Sequence, residues 1–441
     1  MGPVAKVPGS HPLRLKAVLQ EIHQEDCAHL SNPPECGKRA AVALIIRVRP
    51  TYPHRAVYHK DQCSSVSQPF QECLDGFFSQ EWIREGDAEV LFIKRAARVG
   101  DRWTGHIALP GGKREPADSD DRATSRRETR EEIGLELETE HVLYIGNLPE
   151  RMIKSSWGEK PCVGPFRPNT AISDHLCRLM VLCPYVYLAL RHDLPPLTLE
   201  PSEVHSAHWV ALRGLLAPSL RIAERWDLSK GKGYIAQMLT RATAGYMLFG
   251  GIKLKPTESL YCSSISGFIP ETKSPAHWTE SATSMISNPF TRNSTQHVED
   301  DRSLILWGLT MGIMADFLEM LDLHATSKLW YWPTFSQPDL QAMISLLTYR
   351  FRSQRLRELT IRTDRPAPND VRVSGLDATT FTTSLTARRG AGSESGVAGG
   401  LLLEGYYDRL FKALYVALFA RCAFGLALTA FVVRRYKRGV R

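Results

Sequence analysis

The residue types that metal and phosphate chemistry needs are concentrated in residues 105–137, which read GHIALPGGKREPADSDDRATSRRETREEIGLEL. Glu128, Glu131 and Glu132 are three or four positions apart, so a helix would place them on one face. The Gly111–Gly112 pair precedes them and lets the backbone approach a ligand closely. Three carboxylates facing a glycine turn predict a site for a hard divalent cation such as Mg²⁺, which completes its coordination with water and phosphate oxygens.

A helix over residues 121–133 must position these glutamates. Arg127 stands four residues before Glu131 and is expected to pair with it, and Gly134 is expected to end the helix in a left-handed cap. The aspartates near the start of the helix, where its dipole favours negative charge, are Asp118, Asp120 and Asp121. The run RRETREE alone would favour a solvated helix face with salt bridges. The glycine turn beside it favours the metal site instead.

The segment resembles the Nudix box in its arginine, its glutamates and its closing glycine. The residues that match the box in register are Arg127, Glu128, Glu131, Glu132, Gly134 and Leu135. Thr129 in an apolar position and Asp118 in a glutamate position are similar to the branch of Nudix hydrolases that cleaves coenzyme A and its thioesters. A second signature of that branch is matched in part by Leu91–Ala96, Gly105 and the turn Leu109–Gly112, with Leu109 where phenylalanine is usual.

The resemblance implies hydrolysis of a nucleoside diphosphate linked to another group, with Mg²⁺ or Mn²⁺ as cofactor. For coenzyme A or its thioesters the products would be 3′,5′-ADP and 4′-phosphopantetheine or its acyl form. The residues that we assign to the metal are Gly112, Glu128, Glu131 and Glu132. The residues that we assign to catalysis are Arg127, which would hold Glu131, together with Glu128, Glu131 and Glu203. The general base is either a helix glutamate or Glu203 in a later loop. Candidate substrate contacts are Arg95, Lys113 and Trp307, and the alternative for Trp307 is a place in the core.

Short β-rich runs surround the helix. The predicted strands are residues 40–48, 88–96, 142–148, 179–190 and 205–212, and further helices are predicted at 13–24 and 304–321. Strands interrupted by one central helix and covered by outer helices indicate an α/β or α+β sandwich. The resemblance implies the α/β class, in the form of a Nudix-type α/β/α sandwich with a mixed sheet.

The chain is expected to fall into five parts. They are an N-terminal helical segment (1–39), a Nudix domain (40–355), a flexible linker (363–400), a transmembrane helix (410–434) and a basic tail (435–441). The inserts that we expect within the Nudix domain are 52–87, 149–177 and 256–302.

Most of the net charge of +8 lies towards the C-terminal end. From residue 401 onward there are eight basic residues against two acidic ones, and the remaining chain has 47 basic and 45 acidic residues. The body therefore offers no electrostatic case for a nucleic-acid partner. The partner that the resemblance implies is a small nucleotide-diphosphate substrate. The oligomeric state is not indicated. The nine cysteines lack paired zinc-site spacing, which favours reduced thiols.

Residues 413–433 form an apolar run with one charge, Arg421, and their length matches a bilayer core of about 30 Å. The run predicts a transmembrane helix, and the alternative is a helix that lies in the membrane interface or packs on the body. A Gly- and Ser-rich linker would make a spanning helix energetically independent of the body. We expect a tail anchor with the enzyme facing the cytosol, in the mitochondrial outer or the peroxisomal membrane.

Two other functions are alternatives. One is Nudix hydrolysis of ADP-ribose or dinucleotide diphosphates. The other is a membrane-anchored protein that binds a nucleotide without turnover, against which the complete set of Arg127, Glu128, Glu131 and Glu132 argues.

Overall fold

The computed structural model describes residues 12–25, 27, 29–32, 37–51, 69–97, 104–154, 178–229, 233–264, 304–322, 331–364 and 406–439. Its helices are α1 (Pro12–Gln24), α2 (Phe70–Ser79), α3 (Glu81–Arg84), α4 (Asp121–Ile133), α5 (Leu212–Leu215), α6 (Tyr234–Thr243), α7 (Gly308–Leu321), α8 (Pro338–Asp364) and α9 (Tyr406–Gly439). Its strands are β1 (Arg39–Arg49), β2 (Asp87–Arg95), β3 (Ile107–Ala108), β4 (Gly111–Lys113), β5 (Val142–Asn147), β6 (Arg151–Lys154), β7 (Arg178–Ala189), β8 (Val204–Ala211), β9 (Arg221–Trp226), β10 (Met247–Lys253), β11 (Pro256–Tyr261), β12 (Ile305–Trp307) and β13 (Thr334–Phe335).

The larger sheet is mixed. Within the described residues it has nine strands, in the order β11, β8, β2, β1, β7, β5, with β3 beside β2, β4 beside β1 and β6 beside β7. Strands β1 and β7 run parallel, with Arg39 opposite Val181 and Ile46 opposite Leu188. The other described pairs of this sheet are antiparallel. The predicted α/β class with a mixed sheet is therefore confirmed.

Both faces of this sheet are buried. Along β1, Leu44 and Ile46 belong to one core cluster, whereas Ala43 and Ile45 belong to another, because successive side chains of a strand point to opposite faces. The first cluster includes apolar residues of α1, α2 and α7, and the second includes Ile133 at the end of α4. Buried apolar surface thus holds helix α4 against the sheet. Burial of such surface contributes a free energy of roughly 25 cal/mol per Å².

A smaller sheet lies beside α8 and α9. Among the described residues it contains β12, β10 and β13 in that order, with β9 also paired to β10. Met247 of β10 and Phe335 of β13 are fully buried in a third core cluster. The members of that cluster from the two long helices are Leu340, Ile344, Phe351, Tyr406, Leu410, Ala413 and Ala417.

The predicted elements are largely confirmed. The helix at 121–133 has the bounds that were predicted, and each of the five predicted strands is correct to within one residue at either end. The predicted helix at 304–321 is wrong at its start, because Ile305–Trp307 pairs with β10 as a strand and the helix begins at Gly308. Gly308 has a φ of +66°, which allows the change of direction between strand and helix.

Two of the three expected inserts have other bounds in the structure. Pro256–Tyr261, at the start of the expected 256–302 insert, is strand β11 beside β8. Arg151–Lys154, inside the expected 149–177 insert, is strand β6 beside β7. Nor is the N-terminal segment separate, since Val18 and Leu19 of α1 are fully buried in the first core cluster. The expected linker at 363–400 lies outside the described residues apart from the end of α8.

Helix α9 is longer than the predicted transmembrane segment, and its first half packs on the body. The α9 residues buried in the third cluster are Tyr406, Leu410, Ala413 and Ala417. Arg421 then forms an ion pair at 2.5 Å with Asp339 of α8 and donates a hydrogen bond to the carbonyl of Thr243 in α6. The predicted energetic independence of this helix is wrong, because the small side chains of Ala413 and Ala417 are buried in the third cluster and let α9 approach α8.

Beyond Arg421 the described part of α9 is exposed. The stretch Arg409–Tyr436 is long and apolar enough to cross a membrane by length and composition. Its most apolar window of 18 residues has a mean hydropathy of 2.1, and only 6% of that window is buried. One such helix is weak support for a membrane span. The C-terminal helix that we predicted is therefore present, and its membrane role stays a prediction.

Candidate active site

Helix α4 begins and ends as its sequence predicts. The Asp120 carboxylate accepts a hydrogen bond from the backbone N–H of Ala123 at 2.6 Å, which satisfies an N–H group that the helix leaves unpaired. Gly134 adopts φ +68° and its N–H donates to the carbonyl of Arg130 at 2.9 Å. These caps fix where the helix starts and where it ends. They therefore also fix which of its side chains face the turn between β3 and β4.

The Arg127 guanidinium joins the helix to the loop before it. It donates to the two Asp118 oxygens at 2.9 and 3.1 Å, to Glu131 at 2.8 Å and to Glu128 at 3.1 Å. A further bond of 2.9 Å reaches the carbonyl of Lys113. The expected pairing of Arg127 with Glu131 is present, and Asp118 is an additional partner that helix spacing did not suggest. These bonds hold the pKa of Asp118 down, at about 2.

Three glutamates meet beside this arginine. Oxygens of Glu128, Glu132 and Glu203 all lie within 4.8 Å of one another. Glu203 comes from the loop before β8, and its carbonyl accepts a hydrogen bond from Ala96 at 2.8 Å, which ties that loop to the end of β2. Glu131, whose side chain is 52% exposed, is outside this group. The structure thus brings together two of the three predicted helix carboxylates and adds Glu203, our candidate base.

The glycine turn fits closely around the glutamates. Gly111 donates its N–H to the Glu132 carboxylate at 2.8 Å. A Cβ at Gly112 would lie 2.5 Å from the carboxylate of Glu128, so a larger residue would displace that carboxylate. Gly111 has φ +149°, and a Cβ there would lie 2.2 Å from the carbonyl oxygen of Ala41. The two glycines therefore serve different purposes. Gly111 allows the β1–β4 pairing, and Gly112 allows the position of the Glu128 carboxylate.

Burial and mutual repulsion disfavour charge on these carboxylates. The pKa of Glu132 is raised to about 8, mainly by burial and also by the nearby Glu128 and Glu203 carboxylates, against the Gly111 N–H and Arg95, which lower it. Burial also raises the pKa of Glu128, against the effect of Arg127. A bound cation would relieve both effects.

The donor set of this cluster fits a hard divalent cation. All three side chains offer carboxylate oxygens, which Mg²⁺ and Mn²⁺ prefer, and the group combines buried Glu132 with half-buried Glu128 and Glu203. A second group among the described residues, His29, Asp121 and Glu150, has similar spacing. There the Arg39 guanidinium already bonds Asp121 at 2.7 Å and Glu150 at 2.8 Å. That group is an internal ion-pair network.

The three candidate substrate contacts lie in different surroundings. Arg95 ends β2, beside the cluster, and is close enough to Glu132 to lower its pKa. The side chain of Lys113 is exposed at the end of the glycine turn. Trp307 is half-buried in strand β12, where its ring centroid lies 4.9 Å from that of His106 and 5.2 Å from that of Trp226. The structure thus places Trp307 in an aromatic cluster and off the apolar helix expected for it.

The sequence pattern missed the residues that support α4 from a distance. Arg39 on β1 reaches Asp121 in the first turn of the helix and also Glu150, and both acidic side chains are at least 95% buried. Their separations along the chain, 82 and 111 residues, lie far beyond any helical or strand period. The one available signal was an arginine at the start of an otherwise apolar strand.

Comparison with known proteins identifies the class to which this site belongs. Residues 82–228 match the family model of the NUDIX domain, and this range contains the glycine turn, α4 and Glu203. The chain therefore carries a NUDIX domain, as the resemblance implied.

The similar proteins are matched over part of their length. The protein of Schizosaccharomyces pombe named "Uncharacterized protein C14C4.10c" is 35% identical over 178 residues, which are 39% of this chain and 48% of that protein. The human mitochondrial coenzyme A diphosphatase NUDT8 is 46% identical over 57 residues, 13% of this chain and 24% of that protein. This chain therefore spans about half of the first relative and a quarter of the second. The match to the solved structure of RenU, a Nudix hydrolase of M. smegmatis, covers 39% of this chain and 70% of that chain, at 14% identity and a TM-score of 0.22.

Proposed function

We propose that the protein is a metal-dependent Nudix diphosphatase that hydrolyses a nucleoside diphosphate linked to another group. The observation that carries this proposal is the meeting of Glu128, Glu132 and Glu203 beside the Gly111–Gly112 turn. The buried carboxylate of Glu132 is destabilising when charged unless a cation compensates it, which fits a metal site. We also propose that this protein has the α/β/α layers of Nudix enzymes.

The cofactor in this proposal is Mg²⁺ or Mn²⁺, held by the carboxylates of Glu128, Glu132 and Glu203, with Glu131 within reach of Arg127 at the rim. Such an ion supplies Lewis-acid polarisation of a phosphate oxygen and activation of water. The contribution of Gly112 is to leave space for the Glu128 carboxylate.

The protein's own residues orient these groups. Arg127 fixes Glu128 and Glu131 through two hydrogen bonds, and Asp118 fixes Arg127 in turn. A Glu203 carboxylate oxygen is our candidate to accept the proton of the attacking water. Arg95 contributes a positive charge beside the cluster, suited to a phosphate oxygen. Lys113 and Trp307 are our further candidates for substrate contact.

Coenzyme A or one of its thioesters is our proposed substrate, with 3′,5′-ADP and the corresponding 4′-phosphopantetheine as products. The support is the Pro110–Lys113 turn with Asp118, together with the similarity over 57 residues to a protein named as a coenzyme A diphosphatase. The test is hydrolysis of a diphosphate panel by the full-length protein in detergent, with Mg²⁺ and with Mn²⁺. Coenzyme A or an acyl derivative should give the highest kcat/KM. A higher value for ADP-ribose or a dinucleotide would replace this substrate.

The role of the carboxylates has a matched pair of variants. Glu203→Gln should lower kcat by about 100-fold or more, because it removes a charge from the centre of the cluster. Glu200→Gln is the control, since Glu200 is an exposed side chain three residues earlier in the same loop. Equal activity of the two variants would contradict the role of Glu203, and circular dichroism would check that both are folded.

We propose that α9 anchors the protein in a membrane, with the catalytic domain facing the cytosol. The support is the exposed apolar stretch within Arg409–Tyr436. The mitochondrial outer membrane and the peroxisomal membrane are the two candidates. Resistance to alkaline carbonate extraction would support membrane insertion, and release by carbonate would contradict it.

A further inference from the structure

Helix α6 presents an apolar face that nothing in the described structure covers. Its large apolar side chains are 62 to 79% exposed, and they are Tyr234, Ile235, Met238 and Leu239. These positions form one stripe, because residues three to four apart share a helix face. An amphipathic helix on a soluble body normally turns such a stripe towards the core, yet no residue of α6 is buried. A contiguous exposed stripe of this kind marks an interaction surface.

The C-terminal turn of α6, just after this stripe, lies beside the point where α9 leaves the body. Arg421 donates to the carbonyl of Thr243, which closes the C-terminal turn of α6, and the same guanidinium pairs with Asp339 at the start of α8. Beyond Arg421, the side chains of Phe424 and Leu426 are 70% and 73% exposed. Two exposed apolar helices therefore meet at one corner of the molecule.

The docked length of α9 determines how close that corner must lie to a bilayer. Residues 422–433, between Arg421 and Arg434, are free of charge. At 1.5 Å per residue they extend about 18 Å, whereas the hydrocarbon core is about 30 Å thick. A helix that stays docked through Arg421 is too short to hold the body clear of the membrane. It draws the corner with α6 at least as deep as the headgroup layer.

The direction in which α9 packs along α8 indicates how far each residue of α8 lies from the bilayer. The two helices run antiparallel, since Arg421 pairs with Asp339 while the Arg409 guanidinium lies 4.0 Å from the ring centre of Phe351. Asp339 therefore marks the membrane end of α8. Tyr349, ten residues further along, is about 15 Å from that end. It is 68% exposed, which makes it comparable to Met238 at 63%.

We propose that the exposed stripe of α6 is a lipid-contacting surface, immersed in the interface of the same bilayer that receives α9. This inference rests on the membrane anchoring proposed above. One bilayer covers both apolar helices at once, and the tyrosine at the start of the stripe is a residue type suited to the headgroup region. Exposed basic residues at the far end of α9, Arg434, Arg435 and Arg438, are complementary to anionic headgroups of the opposite leaflet.

The test is photo-crosslinking of the full-length protein reconstituted in vesicles of phosphatidylcholine and phosphatidylserine. Three variants are compared: Met238→p-benzoylphenylalanine on α6, Phe424→p-benzoylphenylalanine on α9 and Tyr349→p-benzoylphenylalanine as the matched control on α8. All three positions are exposed, so the probe should leave the fold intact. We expect lipid adducts at Met238 and Phe424, with a yield at Tyr349 at least about tenfold lower, because Tyr349 stands above the interface.

Each other result overturns the inference in a recognisable way. Adducts at Phe424 without adducts at Met238 would refute the role of α6 and leave the anchoring by α9 in place. Absence of adducts at both positions would refute the membrane anchoring itself. A crosslinked product of twice the protein's mass from Met238 would identify a second copy as the occupant. Equal yields at Met238 and Tyr349 would refute the proposed orientation of the body relative to the bilayer.

Discussion

Asp118 holds Arg127 in place from outside the helix that carries the arginine. Its side chain is only 5% exposed and accepts from Arg127 and from the Thr124 hydroxyl. These bonds keep the pKa of Asp118 at about 2, below its ordinary value of 3.8. A carboxylate with a depressed pKa stabilises the folded state above its unfolded pKa and loses that contribution as the pH falls through the folded value.

Asp118→Asn should therefore destabilise the protein by about 2 kcal/mol at neutral pH. The difference from the wild-type protein should persist down to about pH 4 and disappear between pH 4 and pH 2, as the wild-type carboxylate is protonated. Urea unfolding at a series of pH values measures this. A difference that stayed constant through that window would contradict the assignment of the effect to charge.

The two glycines of the turn predict different defects. Gly111→Ala forces a Cβ against the carbonyl of Ala41 at a φ of +149°, so it should lower the free energy of unfolding by about 3 kcal/mol or more. Gly112→Ala meets the movable end of the Glu128 side chain, so it should cost less than about 1 kcal/mol in stability. The activity of Gly112→Ala should nevertheless fall at least about tenfold, because Glu128 is displaced. Equal losses of stability in the two variants would contradict this division.

At the scale of elements, local patterns were sufficient for α4 and insufficient for its supports. The helix and its caps were predictable, because capping residues and apolar spacing act within a few positions. Glu203 was predictable only as a loop glutamate, and the contact with Glu128 and Glu132 required the β2–β8 pairing. The link from Arg39 to Asp121 was beyond reach, since no sequence period connects residues on β1 and α4.

The composition of helix α9 does not determine how the helix packs. The spacing of Ala413, Ala417 and Arg421 is the same for a helix that packs in a membrane and for one that packs on a protein surface. What decides is the complementary surface on α8, with Leu340, Ile344 and the partner Asp339, and this surface has no signature in the sequence of α9.

Two truncations separate the halves of α9. A chain that ends at residue 422 should keep the stability of the full-length body, because the segment removed is exposed. A chain that ends at residue 405 should unfold at a lower temperature and aggregate, because it uncovers the third core cluster and removes the buried Tyr406 and Leu410 side chains, worth about 2 to 3 kcal/mol each. Differential scanning calorimetry compares the two. Identical transitions would mean that the helix adds nothing to the body.

For the whole molecule, the separation of charge predicts a preference among lipids. The body is nearly neutral, whereas exposed arginines cluster at the end of α9. Replacing Arg434, Arg435 and Arg438 by serine should weaken binding to phosphatidylserine-containing vesicles by up to about 1 kcal/mol for each charge removed. Binding to pure phosphatidylcholine vesicles, measured by flotation, is the control and should change little. An equal loss on both kinds of vesicle would show that these arginines act through the helix itself.

The third core cluster also has a consequence for the order of events during synthesis. Helix α9 follows every other described element in the sequence, so Met247, Phe335 and Ile344 are made before the side chains that cover them. Until α9 emerges from the ribosome, this part of the body exposes apolar surface of the kind that chaperones bind. Any factor that captures the nascent α9 for delivery to a membrane then competes with the body for the same helix. Delivery and completion of the fold are thereby coupled in time.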